Sequence, residues 1–152
     1  MSANQRIGDL GIVLPQVATP AGAYVPAVIS GNLVFTAGQI PMVDGKLVAT
    51  GKVGKEISVE QAKDIARICA LNAVAAVKSV IGDLDRVKKV VKVVGFVASE
   101  PSFTQQPAVV NGASELLEQI FGEKGIHARS AVGVAVLPLD APVEVELVVE
   151  FD

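Results

Sequence analysis

Residues 127–144 read His-Ala-Arg-Ser-Ala-Val-Gly-Val-Ala-Val-Leu-Pro-Leu-Asp-Ala-Pro-Val-Glu. Arg129 opens an uncharged run that extends to Leu139, and a second apolar run begins at Val143. Residues typical of turns lie near the junction: Pro138, Asp140 and Pro142. Because proline fixes φ and aspartate stabilises tight turns through its side chain, this pattern predicts a β-hairpin formed by the last two strands.

Two charged residues of this hairpin indicate chemistry on a small anion. The guanidinium of Arg129 is a planar fork that suits a carboxylate or a phosphate, and the carboxylate of Glu144 can move a proton or orient water. With a turn centred near Asp140, Arg129 faces roughly position 151 and Glu144 roughly position 136, which leaves the two on the order of 23 Å apart. A site that uses both residues therefore needs a bend in the strands or a second copy of the chain.

Composition limits the class of protein. The chain has 152 residues, the length of one ordinary domain, and 51% of them are apolar. No apolar run reaches the roughly 18 residues of a membrane helix, and the first residues lack the apolar segment of a signal peptide. A net charge of −3 and an aromatic content of 4% disfavour a nucleic-acid binder, which needs basic side chains and stacking platforms.

The single cysteine and the single histidine exclude an internal disulfide and a conventional zinc site. Cys69 has no partner for an internal disulfide, and together with His127 it supplies too few ligands for a conventional zinc site. Cys69 also lies on the apolar face of a predicted helix, which indicates a core residue rather than a nucleophile. Because disulfides are absent, the simplest compartment is the cytoplasm.

Hydrophobic periodicity predicts the order of elements. Ser58 and Gln61 fit a capping box at the start of a long helix, and Gly82 is a plausible end for it. Asp44-Gly45 is a strong hairpin signal, and residues 12–14 are compatible with a short edge strand. In order, the elements are strands at 25–29, 33–37 and 42–48, a helix at 58–82, a strand at 87–98, a helix at 106–122 and the two strands of the hairpin.

This order, β-β-β-α-β-α-β-β, predicts an α+β fold in which two helices cover one face of a mixed sheet. In the last strand one face is apolar and should contact the helices: Val143, Val145, Leu147, Val149 and Phe151. The other face carries Glu144, Glu146 and Glu150 and must meet water, a ligand or another subunit. Because the second sheet face has no helix to cover it, we expect oligomerisation.

Several short motifs follow one another along the chain in an order typical of one protein family. They are Ala23-Tyr24-Val25, Thr36-Ala37-Gly38-Gln39-Ile40-Pro41, Val110-Asn111, Ala128-Arg129-Ser130, Leu137-Pro138 and Val143-Glu144-Val145-Glu146. Taken together, this set resembles the RidA/YjgF family of reactive intermediate deaminases, also called endoribonuclease L-PSP. The resemblance extends roughly from Thr19 to Phe151, so residues 1–18 are an N-terminal extension of a single domain that spans residues 1–152.

The resemblance implies a chorismate-mutase-like fold and a homotrimer with three clefts between subunits, which would answer the distance problem. Arg129 would bind the substrate carboxylate, and Glu144 would position the hydrolytic water. Tyr24 and the backbone of Gly38 would line the pocket, and Asn111 would lie near the cleft. From the residues alone, a packed aromatic is the favoured interpretation of Tyr24, and a solvated polar position is the favoured interpretation of Asn111.

Two positions depart from the family's pattern. Ala131 stands where its deaminases usually have a cysteine, and Ala37 stands where they often have a serine. The backbone of Ala131 can still hydrogen-bond to a substrate, but the thiol and the hydroxyl are absent. The chain is also longer than usual over residues 51–56, which is typical of a divergent branch.

Three functions remain open at this stage. The first is hydrolysis of a 2-imino or enamine acid to the 2-keto acid and ammonia, for which Arg129 and Glu144 suffice and no cofactor or metal is required. The second is a non-catalytic trimer that binds a small carboxylate, which the alanines at 131 and 37 favour. The third, RNA cleavage, is disfavoured by the acidic balance and the single histidine. Arg129 and Glu144 could also serve only in ion pairs at a subunit interface.

Overall fold

The structure is a computed structural model that describes residues 1–20 and 22–152. Its helices and strands are α1 (Ala3–Asp9), β1 (Ala27–Ser30), β2 (Leu33–Thr36), β3 (Met42–Val43), β4 (Lys46–Leu47), α2 (Val59–Ile81), β5 (Val87–Ala98), α3 (Gln106–Phe121), β6 (Ala128–Val134) and β7 (Val143–Phe151). Five of the strands form one sheet in the order β1-β2-β7-β5-β6. β6 runs parallel to β5 and the other pairs are antiparallel, so the predicted mixed sheet is confirmed.

Both long helices pack on one face of this sheet, as the sequence predicted. α2 begins with the capping box, in which the Ser58 hydroxyl accepts from the Gln61 backbone N–H at 3.1 Å and the Gln61 side chain accepts from the Ser58 backbone N–H at 2.9 Å. It ends at Gly82, whose φ of 84° favours glycine. Under the helices, alternate residues of β7 are buried: Val143, Val145, Leu147 and Val149. Phe151, predicted on the same face, is half-buried at the end of the strand.

The predicted hairpin between the last two strands is wrong. β5 lies between β6 and β7 and hydrogen-bonds to both, so Arg129 pairs with Val93 rather than with a residue near position 151. Glu144 pairs with Phe96 rather than with a residue near position 136. The physical reason is that the sequence pattern of two strands and a turn is the same whether or not a third strand lies between the two. Here the valine-rich β5 hydrogen-bonds along both of its edges, to β6 on one side and to β7 on the other.

The connection from β6 to β7 crosses the end of β5. It contains a short 3₁₀ turn at Pro138–Asp140, in which Leu139 and Asp140 both have a φ of 59°. Two successive residues in the left-handed region reverse the chain sharply. The Asp140 carbonyl also accepts from the backbone N–H of Gly51 at 3.0 Å, which ties this turn to the loop before α2.

Three local differences concern the first half of the chain. Residues 3–9 form α1, a helix that the sequence analysis missed, and its N-terminal capping box at Ser2 and Gln5 repeats the signal seen at α2. Residues 12–14 form no strand; Ile12 and Leu14 instead pack against the core. The predicted strand at 42–48 is two short strands, β3 and β4, because Asp44 and Gly45 have φ values of 51° and 79° and form a tight turn of type I′.

No helix of residues 1–20 or 22–152 covers the second face of the sheet. Across it, Val28 pairs with Phe35 and Phe35 pairs with Val148, and Val28 and Phe35 are 50% and 40% exposed. Glu144 and Glu146 lie on this same open face of β7. Over the described residues, no helix is both long and apolar enough to cross a membrane.

Candidate functional site

The Arg129 guanidinium is fixed against the start of α3. Its Nη1 donates to Asn111 Oδ1 at 2.8 Å and to Ser114 Oγ at 3.1 Å, and its Nη2 donates to the Pro107 carbonyl oxygen at 3.3 Å. All three acceptors are neutral. Among the described residues, no carboxylate lies within the 4.0 Å of an ion pair with Arg129. A guanidinium that is oriented but has no counter-ion in its own chain is ready to bind an anion.

His127 and Ser114 continue this hydrogen-bond network. His127 Nδ1 lies 2.6 Å from the Gly125 carbonyl oxygen, which can only accept, so Nδ1 carries the proton. His127 Nε2 must then accept the Ser114 hydroxyl proton across 2.9 Å. The Ser114 oxygen is thereby turned toward Arg129 with a lone pair available. Burial and then the charge of Arg129 lower the pKa of His127, against a raising effect of the Gly125 carbonyl, so the imidazole is neutral at pH 7.

Glu144 lies on the open face of β7, beside Gly38. The Gln39 backbone pairs with Val145 through hydrogen bonds of 2.8 and 3.0 Å, which brings residue 38 against the Glu144 side chain. A Cβ atom on Gly38 would lie 1.8 Å from Glu144 Oε1, so only glycine leaves room for this carboxylate. Burial, and to a lesser extent the charge of Glu146, raises the pKa of Glu144 above its ordinary 4.5. A carboxylate with a raised pKa is a better proton acceptor than an exposed one.

Gly38 also lines a cavity of about 700 Å³. Tyr24 lines it and is 52% exposed. Tyr24 and Gly38 therefore share one cavity wall, and Gly38 joins that wall to Glu144. These three residues form the first of two groups at the candidate site.

Arg129, Asn111 and Ala131 form the second group, and one chain does not bring the two groups together. Arg129 and Ala131 pair with Val93 and Gly95, which are buried beneath the helices. Glu144 pairs with Phe96, on the opposite face of β5. Two strand spacings and three residues along the strand give on the order of 14 Å between the Cα atoms of Arg129 and Glu144, with their side chains on opposite faces.

Sequence reasoning did not identify the role of Ser114 and His127. Two signals could have found them. Ser114 follows Asn111 by three residues on α3, which places both side chains on one face of the helix. His127 precedes Arg129 by two residues, the spacing of side chains that share one face of an extended segment.

Cys69 is a core residue, as predicted. It is 0% exposed, and its thiol donates weakly to the Val143 carbonyl oxygen at 3.5 Å. Burial, followed by the charge of Glu144, raises the pKa of the thiol well above its ordinary value, so no thiolate forms at neutral pH.

Comparison with known proteins places the chain in a family. The family described as "YjgF/chorismate_mutase-like, putative endoribonuclease" matches residues 4–151. The chain belongs to this family. The chorismate-mutase-like fold expected from the sequence is therefore confirmed.

Individual relatives agree with this assignment. The protein TCP17 of Trypanosoma cruzi is 49% identical over 94% of this chain and 90% of its own length. A protein of Salmonella typhimurium named 2-iminobutanoate/2-iminopropanoate deaminase is 35% identical over 84% of this chain and 86% of its own. The crystal structure of Atu1372 from Agrobacterium tumefaciens, a protein described as of unknown function, has a TM-score of 0.91 and 46% identity over 99% of this chain and 92% of its own.

Within this YjgF-type fold, Ala131 lies two residues after Arg129, and Ala37 directly precedes Gly38, the residue that lies against Glu144. Ala131 follows Arg129 on the same face of β6 and packs against the core. The Ala37 carbonyl oxygen accepts from the Gln39 side-chain amide at 3.3 Å, directly before Gly38. Neither side chain can donate or accept a proton, so both alanines leave proton transfer to other groups.

Proposed function

We propose that this chain is a cytoplasmic hydrolase that converts small 2-imino or enamine acids to 2-keto acids and ammonia, in clefts between the subunits of a homotrimer. The observation that carries the proposal is the Arg129 guanidinium, which three neutral oxygens orient and which has no carboxylate partner among the described residues. The name of the Salmonella relative, a 2-iminobutanoate/2-iminopropanoate deaminase, supports the same reaction.

In this reaction Arg129 holds the substrate carboxylate through two parallel N–H···O bonds. Glu144 accepts a proton from water as the water oxygen bonds to the imine carbon, and the imine nitrogen takes up a proton. The resulting tetrahedral aminoalcohol then loses ammonia as its C–N bond breaks and its hydroxyl becomes the keto group. One water is consumed for each ammonia released, and no electrons leave the substrate. Because such imines also hydrolyse in water, positioning by the two charged residues provides the rate gain.

The sheet supports a site formed by two copies of the chain. Arg129 and Glu144 lie on opposite faces in one chain, and a cleft between subunits would hold both by taking each from a different chain. The open face offers the surface for such an assembly, because the apolar side chains of Val28 and Phe35 are exposed there. A closed trimer would repeat one heterologous contact three times and form three equivalent clefts.

A second function, binding a small carboxylate without catalysis, is favoured by the alanines at 131 and 37, which remove two polar groups from the site. In this case Arg129 is needed for affinity, and Glu144→Gln leaves affinity unchanged. RNA cleavage, which the family's description includes, has less support. The net charge is −3, and both nitrogens of the single histidine are engaged in hydrogen bonds.

The test measures keto-acid formation from 2-iminopropanoate and 2-iminobutanoate generated in situ by an amino acid oxidase. The wild type is compared with Arg129→Ala and with Arg67→Ala, a matched control on α2 whose guanidinium donates to the Gln119 side-chain oxygen. We expect acceleration by the wild type and by Arg67→Ala, and none by Arg129→Ala. No acceleration by the wild type would reject the deaminase, and calorimetry with small carboxylates would then test the binding function.

A further inference from the structure

The cavity beside Gly38 is larger than a three- or four-carbon substrate needs. Its volume of about 700 Å³ lies in the range of pockets that enclose drug-sized ligands. Most of its lining is apolar, as in Pro15, Val17, Ile40, Met42, Ile68 and Leu71. A space of this size and polarity suits a hydrocarbon group rather than water.

The charges around the cavity support the same conclusion. Among the described residues that line it, Asp44 is the only charged one, and no lysine, arginine or histidine is present. A substrate carboxylate therefore has no cationic partner among the described lining residues and would be repelled by Asp44. The carboxylate must bind elsewhere, at Arg129, while the uncharged end of the same molecule occupies the cavity.

The N-terminal segment makes one wall of this cavity and is anchored to the core. Asn4 on α1 binds Asp83 through its side chain at 2.8 Å and Asp85 through its backbone N–H at 2.9 Å. Ile12 and Leu14 pack against the hydrophobic core, and the residues that follow, from Pro15 to Pro20, line the cavity. The wall is thus built from the chain segment that leads from α1 toward β1.

The opposite wall is fixed by a buried amide. Asn72 on α2 is 4% exposed, and its Nδ2 donates to the carbonyl oxygens of Ile40 and Met42 at 3.2 and 3.0 Å. These bonds hold residues 40–42 against the helix and set the shape of the cavity before any ligand arrives. Gly38 also lines the cavity, and a Cβ atom on it would meet the Glu144 carboxylate, so the cavity and Glu144 are neighbours at this residue.

We propose that this cavity is a side-chain subsite that directs the enzyme toward 2-imino acids with branched aliphatic or aromatic side chains. This inference rests on the proposed deaminase function. A substrate held by its carboxylate at Arg129 would present its imine carbon near Glu144 and extend its apolar side chain past Gly38 into the cavity. Each methylene group placed there removes apolar surface from water and favours the larger substrate.

The experiment compares 2-imino acids generated from alanine, leucine and phenylalanine. For the wild type we expect kcat/KM to be about tenfold or more higher with the leucine- and phenylalanine-derived imines than with the alanine-derived imine. Leu71→Trp fills the cavity, and we expect it to lower this ratio about tenfold. Lys78→Trp, at an exposed position of α2 outside the cavity lining, is the matched control and should leave both rates and their ratio unchanged.

A second variant guards against misfolding of Leu71→Trp. Val17→Asp places a charge in the wall contributed by the N-terminal segment, outside any helix or strand, and should lower the same ratio. If the wild type accelerates all three imines without preferring the larger ones, or if both variants leave the ratio unchanged, the subsite is rejected and the deaminase stands. If the wild type accelerates none of them, the deaminase and the subsite are both rejected.

Discussion

Arg129 and Glu144 lie on opposite faces of one sheet, separated by β5. Arg129 pairs with Val93, which is buried under the helices, and Glu144 pairs with Phe96 on the other side of the sheet. The two side chains therefore leave the sheet in opposite directions. The proposed site takes them from two chains, and each of its halves can be tested separately.

The Ser114 hydroxyl is expected to position Arg129. Ser114→Ala removes the acceptor 3.1 Å from Nη1 and leaves His127 Nε2 without its donor. We expect KM for a small imino acid to rise about tenfold, the equivalent of one net hydrogen bond to a charged group, with a smaller change in kcat. Steady-state kinetics measure both constants. Ser102→Ala, in an exposed turn before α3, is the control, and an unchanged KM in Ser114→Ala would refute the positioning role.

His127 is expected to make stability depend on pH. Its pKa in the folded chain lies below the ordinary 6.5, chiefly because of burial. Below pH 6.5 the unfolded chain therefore binds a proton that the folded chain does not yet bind, and the free energy of unfolding falls as pH falls toward the lowered pKa. Urea denaturation between pH 5 and 8 should show this slope in the wild type and a flatter one in His127→Gln. Equal slopes in the two proteins would contradict the account.

Glu144 is expected to set the acid limb of activity. Burial and Glu146 raise its pKa above 4.5, so the reactive carboxylate is lost at a higher pH than for an ordinary glutamate. The profile of kcat/KM against pH should fall on the acid side with an apparent pKa above 4.5, and Glu146→Gln should move that pKa downward.

Glu150→Gln is the matched control for this profile, since Glu150 lies on the same face of β7 but does not raise the pKa of Glu144.

The raised pKa of Glu144 also makes the free energy of unfolding depend on pH, with the opposite sign to the effect of His127. Because the folded chain holds the Glu144 proton more tightly than the unfolded chain, this group's contribution to stability is largest below pH 4.5 and is lost as pH rises through the raised pKa. For the activity profile, an apparent pKa of the acid limb that is the same in Glu146→Gln and in the wild type would argue against Glu144 as the group that sets it.

Gly38 is expected to be required for activity rather than for folding. A methyl group there would overlap Glu144 Oε1, and the carboxylate is the part that can move. We expect Gly38→Ala to fold and to lose on the order of tenfold to a hundredfold in kcat, since small misplacements of a reacting group are costly. Gly8→Ala is the control, because nothing lies within 4 Å of its added Cβ. Full activity in Gly38→Ala would show that the position of Glu144 does not matter.

The elements that depend on local signals could be predicted from the sequence. The bounds of β5 were predicted as 87–98, and both long helices were located by capping residues and a 3.6-residue period. α1 has the same capping signal at Ser2 and Gln5. It was not predicted because a helix of seven residues is too short to show a clear apolar periodicity. The order of strands was not predictable, because the insertion of β5 between β6 and β7 is a long-range pairing.

For the candidate site, the sequence likewise identifies individual residues but not their arrangement in space. Arg129 and Glu144 could be named from charge and motif, but their placement on opposite faces follows from the parity of their partners in β5, which the sequence does not reveal. The network through Ser114 and His127 needs the packing of α3 against β6 and so appears only in three dimensions. The expectation that a shared site needs a bend in the strands or a second copy of the chain came from hairpin spacing, which was wrong. The placement of Arg129 and Glu144 on opposite faces of the sheet favours the second copy for a different reason.

Subunit complementation tests the two-copy site most directly. Arg129→Ala and Glu144→Gln, each inactive alone, are unfolded together in equal amounts and refolded, and keto-acid formation is measured. If each cleft takes Arg129 from one chain and Glu144 from another, random mixing leaves about a quarter of the clefts intact, so the mixture should recover about a quarter of wild-type activity. A mixture that exchanges subunits but stays inactive would contradict a cleft that takes these two residues from different chains.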